Sequence, residues 1–145
     1  MGGQPQRYEK KQDMILVDTS VWIDFLKGVN SPERLLLHNL IESGEDISIS
    51  ELILTEILQG IRNDEKFNIL LKYFLEFPAF VPDGMKTYLD AAQIYRTCRK
   101  KGKTIRTTVD CIIAAICIEN DLVLLHKDND FNMIAQCTGL KILKD

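Results

Sequence analysis

The sequence predicts a single α/β domain built on a short, mostly parallel central sheet with helices on both faces. Short apolar runs rich in β-branched residues, Met14-Ile15-Leu16-Val17 and Leu122-Val123-Leu124-Leu125, have the continuous hydrophobicity of strands buried on both faces. Stretches with apolar residues at three- and four-residue spacing lie between the strand candidates. Strands that alternate with helices imply right-handed crossovers and parallel pairing. A chain of 145 residues suits one domain with a sizeable core.

Residues 1–13 carry no apolar period and are rich in Gly, Pro, Gln and charge, so a disordered tail is expected there and the folded domain over 14–145. Met14 stands directly before the first strand and offers a second possible start. The strand at 14–17 stops at Asp18-Thr19-Ser20, which places Asp18 at its carboxyl end. A helix through Val21-Trp22-Ile23-Asp24-Phe25-Leu26 then closes at Gly28. Ser31-Pro32-Glu33 is an N-cap, first-turn proline and first-turn acid in the preferred order, opening a helix that runs to Gly44. A strand is expected at 46–49.

Ser50 caps the next helix, from 51 to about 62, whose apolar set is Ile53, Leu54, Ile57, Leu58 and Ile61. Glu56 falls at the border of that face, and Gly60, four residues on, leaves room for another segment to come close to it. Residues 63–77 form a further helix ending before Pro78. Phe80-Val81-Pro82 suits an edge strand, because proline lacks the ladder donor. Met85, Tyr88, Leu89, Ala92, Tyr95 and Cys98 mark an amphipathic helix over 84–101. After the strand at 122–125, Phe131, Met133 and Ile134 begin a short helix, and 140–143 makes a last strand.

The stretch 107–118 is apolar on every side except at Asp110. A helix hydrophobic all round is a buried one. An unpaired carboxylate entering it costs several kcal/mol or is forced to protonate. Thr107 as N-cap with Asp110 three residues later imitates a capping box, although Glu or Gln is preferred there. Capping or a nearby cation would each account for the acid.

Composition limits the chemistry. With 46% apolar and 27% charged residues the chain is an ordinary globule. It holds nothing near the roughly 20 apolar residues of a membrane span and no apolar signal core, so no membrane and a cytoplasmic location are expected. Cys98, Cys111, Cys117 and Cys137 form no C-x-x-C pair and read as buried thiols of a reducing compartment. With only His38 and His126, a histidine-based site is poorly supplied, so chemistry falls to carboxylates. A net charge of −3 and pI near 5.4 argue against indiscriminate polyanion binding. A local basic patch remains: Arg96, Arg99, Lys100, Lys101, Lys103 and Arg106 run without an intervening acid between Asp90 and Asp110. They exceed what a helix C-terminus requires and suit either a phosphate chain or a solvated face.

Ligands of open parallel sheets bind beyond the carboxyl ends of the strands. Asp18 and Asp128 occupy that edge, with Asp130 close behind and Asp110 and Glu56 on helices bordering it. So many acids repel and raise one another's pKa unless divalent cations neutralise them. Oxygen-only ligands favour Mg²⁺ or Mn²⁺, which can activate water and stabilise a phosphodiester's leaving oxygen. Capping, turn and surface roles would explain each acid separately, whereas a metal site explains them together.

Four segments in order, Ile15-Leu16-Val17-Asp18-Thr19-Ser20-Val21-Trp22-Ile23, Thr55-Glu56-Ile57-Leu58-Gln59-Gly60, Thr104-Ile105 through Asp110-Cys111-Ile112-Ile113-Ala114-Ala115, and Leu125-His126-Lys127-Asp128-Asn129-Asp130-Phe131, resemble the motifs of PIN-domain ribonucleases of the VapC toxin type. The resemblance runs from Met14 almost to the C-terminus. It implies a Mg²⁺-dependent endoribonuclease, usually a homodimer, held inactive by a cognate antitoxin. By position, Asp18, Glu56 and Asp110 match the family's metal-site acids, and either Asp128 or Asp130 supplies the fourth. Ser20 is placed for a polar contact near the metal, and Arg99, Lys100, Lys101, Lys103 and Arg106 for holding RNA. His126 stands where the family commonly has Thr or Ser.

Two other readings compete. A signalling receiver domain would want paired acids after its first strand and a phosphoacceptor Asp after a middle one. Here Asp18 is followed by Thr19-Ser20, and the middle strand gives Ser48-Ile49-Ser50. A catalytically silent binding module on the same fold would keep the acids without binding metal.

Overall fold

A computed structural model describes residues 13–144. The expected tail therefore lies outside the described residues except for Asp13, an exposed residue with Oδ1 3.8 Å from Lys141 Nζ. The elements in chain order are β1 (Ile15–Val17), α1 (Thr19–Lys27), α2 (Pro32–Glu42), β2 (Ile47–Ser50), α3 (Glu51–Gln59), α4 (Asp64–Phe74), β3 (Ala79–Phe80), α5 (Gly84–Lys100), α6 (Thr108–Glu119), β4 (Val123–Leu125), α7 (Asn129–Cys137) and β5 (Lys141–Ile142).

The sheet order is β3-β2-β1-β4-β5 and every pairing is parallel. Ile15 is in register with Ile47 on one side and Val123 on the other, so β1 is the central strand. The chain steps outward from β1 to β3, then crosses back to β4 and β5. Right-handed crossovers put α1–α4 on one face and α5–α7 on the other. Packing agrees, since α1 lies against α2 and α3, and α6 against α5 and α7. The order also separates the fold from receiver domains, whose sheets run 2-1-3-4-5.

Local chemistry sets the helix boundaries. The side chains of Ser31, Ser50 and Asn63 accept the N–H groups of Arg34, Ile53 and Lys66, each satisfying one donor of a first helical turn. Gly28 ends α1 in the left-handed region, φ 69°, where a side chain would be strained. The expected edge strand begins one residue earlier and ends before Pro82, which cannot extend the ladder. The expected helix to residue 62 stops at Gln59. Among the described residues no segment takes up the room at Gly60, where a Cβ would meet only Ile57 O at 3.7 Å.

The core has two centres. On one face Trp22 is fully buried, with the Phe74 ring edge-on at 4.9 Å and Phe25, Tyr73 and Phe77 around it. On the other, every residue of α6 from Cys111 to Cys117 is buried against the sheet and α5, as its uniform hydrophobicity requires.

Candidate active site

β1 and β4 are neighbours, yet the chain leaves their carboxyl ends toward opposite edges of the sheet. That switch point opens a crevice in parallel α/β folds. Asp18 sits directly there. Its N–H continues the ladder to Leu125 O at 2.9 Å, holding it beside the end of β4. Although Asp18 occupies the N-cap position of α1, its side chain makes no capping bond and instead accepts the Ser20 hydroxyl at 3.0 Å. Burial raises the Asp18 pKa, the Ser20 bond opposes that rise, and the charge of Glu56 adds to it.

Glu56 reaches the site from α3 and is tied to α1: the Thr19 hydroxyl donates to its Oε1 at 2.6 Å. Asp110 enters from the first turn of α6. Thr107 Oγ1 accepts the Asp110 N–H at 3.2 Å, so the N-cap half of the capping box is present. Asp110 Oδ2 is nevertheless buried with no hydrogen-bond partner. Burial, then the charges of Asp128 and Asp18, push the Asp110 pKa up to about 7.

Asp128 is the N-cap of α7 after β4, and Asp130 lies in the first turn of α7. Asp128 Oδ1 accepts the Asp130 N–H at 2.9 Å and thereby caps α7. The Asp128 N–H in turn donates to His126 Nδ1 at 3.0 Å, so that nitrogen is unprotonated. Burial lowers the His126 pKa, in keeping with this neutral ring. Carboxylate oxygens of Asp110, Asp128 and Asp130 all lie within 4.8 Å of one another. Asp18 and Glu56 lie outside that close group of three; the charge of Asp18 acts on Asp110 and that of Glu56 on Asp18.

The basic residues divide. Arg99, Lys100 and Lys101 are exposed at the end of α5 and Lys103 is half-buried. Arg106 has a different environment, with its guanidinium against Asp128 and Asp130 at 3.1 and 3.3 Å. Sequence reasoning missed the Thr19–Glu56 bond and the acid partners of Arg106. It also missed an ion pair between Lys127, next to Asp128, and Asp24 of α1. Nothing periodic marks pairs 37, 24 or 103 residues apart.

The donors that converge are all carboxylate oxygens, and one of them is buried and unpartnered. That set fits a hard divalent cation, since an unpaired buried oxygen is otherwise costly. A parallel α/β domain with carboxylates gathered at its switch point is built to hold a divalent cation there. The PIN domain family model matches residues 15–136. The chain is 34% identical to ribonuclease VapC11 of Mycobacterium tuberculosis over 129 residues, 88% of this chain and 96% of that one. It belongs to the PIN-domain family and, within it, to the VapC ribonucleases. Its fold is similar to VapBC-1 from nontypeable Haemophilus influenzae, with TM-score 0.68 and 20% identity over 90% of this chain and 96% of that chain. A toxin-antitoxin complex from Klebsiella pneumoniae gives TM-score 0.58 and 20% identity over 81% of this chain and 89% of that chain.

Proposed function

We propose that this protein is a Mg²⁺-dependent endoribonuclease toxin that hydrolyses RNA phosphodiester bonds and is neutralised by a cognate antitoxin. The observation that carries this reading is the buried, unpartnered Asp110 Oδ2 within a group of carboxylates at the switch point. Asp18, Glu56, Asp110 and Asp128 are the acids that would hold the cation, with Asp130 beside them. When bound, Mg²⁺ or Mn²⁺ supplies water activation and charge neutralisation at the reacting phosphate. Thr19 and Ser20 hold Glu56 and Asp18 in place by their hydroxyls. Arg99, Lys100, Lys101 and Lys103, from the end of α5 and the loop that follows it, would hold the RNA backbone.

The relationship to toxin–antitoxin complexes supports an antitoxin partner. Exposed Met85, Tyr88 and Leu89, on one side of α5, support a homodimer. The four cysteines are free, which supports a reducing, cytoplasmic setting, and no described helix is long and apolar enough to cross a membrane.

Purified protein incubated with RNA should cut it with Mg²⁺ and not with EDTA, and Asp18→Asn or Asp110→Asn should abolish cutting. Unchanged cleavage in both variants would sink the assignment of those ligands. In a bacterial host, induction of the wild type should arrest growth and induction of Asp110→Asn should not. Arrest by both forms would point away from nuclease action, and intact folding without Mn²⁺ binding would favour a silent binding module.

A further inference from the structure

Arg106 belongs to the basic run, yet its donors point at acids of the site. Its backbone N–H donates to Asp130 Oδ2 at 2.9 Å, its Nε approaches the same oxygen at 3.3 Å, and its Nη2 reaches Asp128 Oδ1 at 3.1 Å. Asp128 Oδ1 also accepts the Asp130 N–H, closing a ring of three residues drawn from the loop before α6 and the start of α7. Asp130 is 2% exposed, so its charge is one that needs a fixed partner, and the guanidinium supplies it. The planar fork of arginine can bridge two carboxylates in a way that an ammonium cannot.

We infer that Arg106 is a positioning residue, an internal clasp that neutralises Asp130 as a structural acid and aims Asp128 at the metal site. This rests on the nuclease reading above. The clasp leaves Asp110 as the acid of the cluster with an unpartnered buried oxygen. It occupies Oδ1 of Asp128 and leaves that residue's other oxygen for the cation. Asp130, with Oδ2 bound twice by one arginine, serves the clasp and not the metal. The loop ahead of Asp110 is thereby fixed to the turn after β4, so the first turn of α6 and the start of α7 move as one piece.

A cation that only touched RNA and a cation that orders the site give different kinetics. Removing a clasp lowers kcat and leaves KM nearly unchanged; removing a phosphate contact raises KM and weakens the salt dependence. Withdrawing a positive charge from beside the acids favours Mn²⁺ by Coulomb's law, while the lost aim of Asp128 disfavours it, so kcat and KM are the readouts that separate the two roles of Arg106. Arg106→Gln should therefore lose roughly 10-fold or more in kcat, with KM within about 2-fold. Arg106→Lys, which keeps the charge without the fork, should fail to restore kcat.

Mn²⁺ titrations of the purified full chain and its variants, with cleavage of a fluorescent RNA in parallel, test this. Asp128→Asn should weaken Mn²⁺ binding by roughly 10-fold or more, and Asp130→Asn by less than about 3-fold. Equal losses in the two Asn variants would make Asp130 a ligand and overturn the inference. A raised KM with unchanged kcat in Arg106→Gln, or full rescue of kcat by Arg106→Lys, would overturn it too. Wild-type protein that binds Mn²⁺ without cutting RNA would defeat the nuclease reading, and the comparison of the two Asn variants would still decide between clasp and ligand.

Discussion

The Thr19 hydroxyl donates to Glu56 Oε1 at 2.6 Å and so links the first turn of α1 to the middle of α3. Glu56 lies 37 residues along the chain from Thr19, on a helix whose N-cap is Ser50. Without this bond its long side chain would be free to leave the site. Partners that orient metal-binding carboxylates are worth roughly 10- to 100-fold in metal affinity or activity. Thr19→Val should lose activity in that range while keeping the fold, and Thr19→Ser should retain most of it. Full activity in Thr19→Val, measured as RNA cleavage at saturating Mg²⁺, would remove Thr19 from the site's supports.

Asp110 gives the metal-free protein a distinctive pH dependence. Its pKa rises from the ordinary 3.8 to about 7 because burial and the neighbouring carboxylates disfavour its charge. A carboxylate raised in the folded state binds a proton more tightly there than in the unfolded chain. Its contribution to stability is therefore full below pH 3.8 and is lost as pH rises through about 7. Asp110→Asn removes the charge and with it this loss. In EDTA the variant should be more stable than the wild type at pH 8, by on the order of 1 kcal/mol or more, with the gap closing toward pH 4. A capping role would give the opposite result, a loss of about 1 kcal/mol at both pH values. Urea melts at the two pH values measure it.

The architecture was legible because it depends on patterns that repeat along the chain. The apolar runs at β1 and β4, the helical spacing of α5 and the uniform hydrophobicity of α6 each name an element without knowledge of the others. Parallel pairing and the switch point then follow from alternation. The acids were legible for a related reason, since Asp18 and Asp128 follow buried strands and Asp110 interrupts an apolar helix. Their supports were not, because a hydroxyl such as Thr19 or a guanidinium such as Arg106 has many possible partners and only the folded chain chooses among them. Gly60 illustrates the converse: the missing side chain signalled a close approach, and in the fold it is the C-cap of α3 at φ −84°, a conformation open to any residue.

Lys100 and Lys101 are exposed at the end of α5, where no hydrogen bond or ion pair occupies their ammonium groups among the described contacts. If they hold the RNA backbone, each neutralised phosphate adds about 0.7 to the slope of log affinity against log salt for a single strand. The Lys100→Ala, Lys101→Ala double variant should bind RNA more weakly at low salt, with a slope shallower by roughly 1 to 1.5 and kcat little changed. Cleavage and binding measured between low and moderate salt would check this. An unchanged slope would return these lysines to the solvated surface and to the helix dipole.

Lys127 and Asp24 bind α1 to the turn that carries Asp128. Asp24 is 8% exposed, and the Lys127 ammonium beside it lowers its pKa, with the Ser31 hydrogen bond and the charge of Lys27 in support. An acid depressed in the folded state contributes stability above its unfolded pKa of 3.8, and that contribution is lost as pH falls through the folded value. This is the reverse of Asp110, so the two acids shape opposite ends of the pH profile. Lys127→Met removes the main partner of Asp24 but leaves it the Ser31 hydrogen bond and the charge of Lys27, and should cost on the order of 1 kcal/mol at pH 7. At pH 3 the loss should shrink, because Asp24 is then protonated in the unfolded chain and increasingly so in the folded one. The same variant should cut more slowly than the wild type at temperatures where both are folded, since the turn bearing Asp128 loses its anchor to α1. Wild-type stability and rate in Lys127→Met would mean that the turn is held by Arg106 and His126 alone.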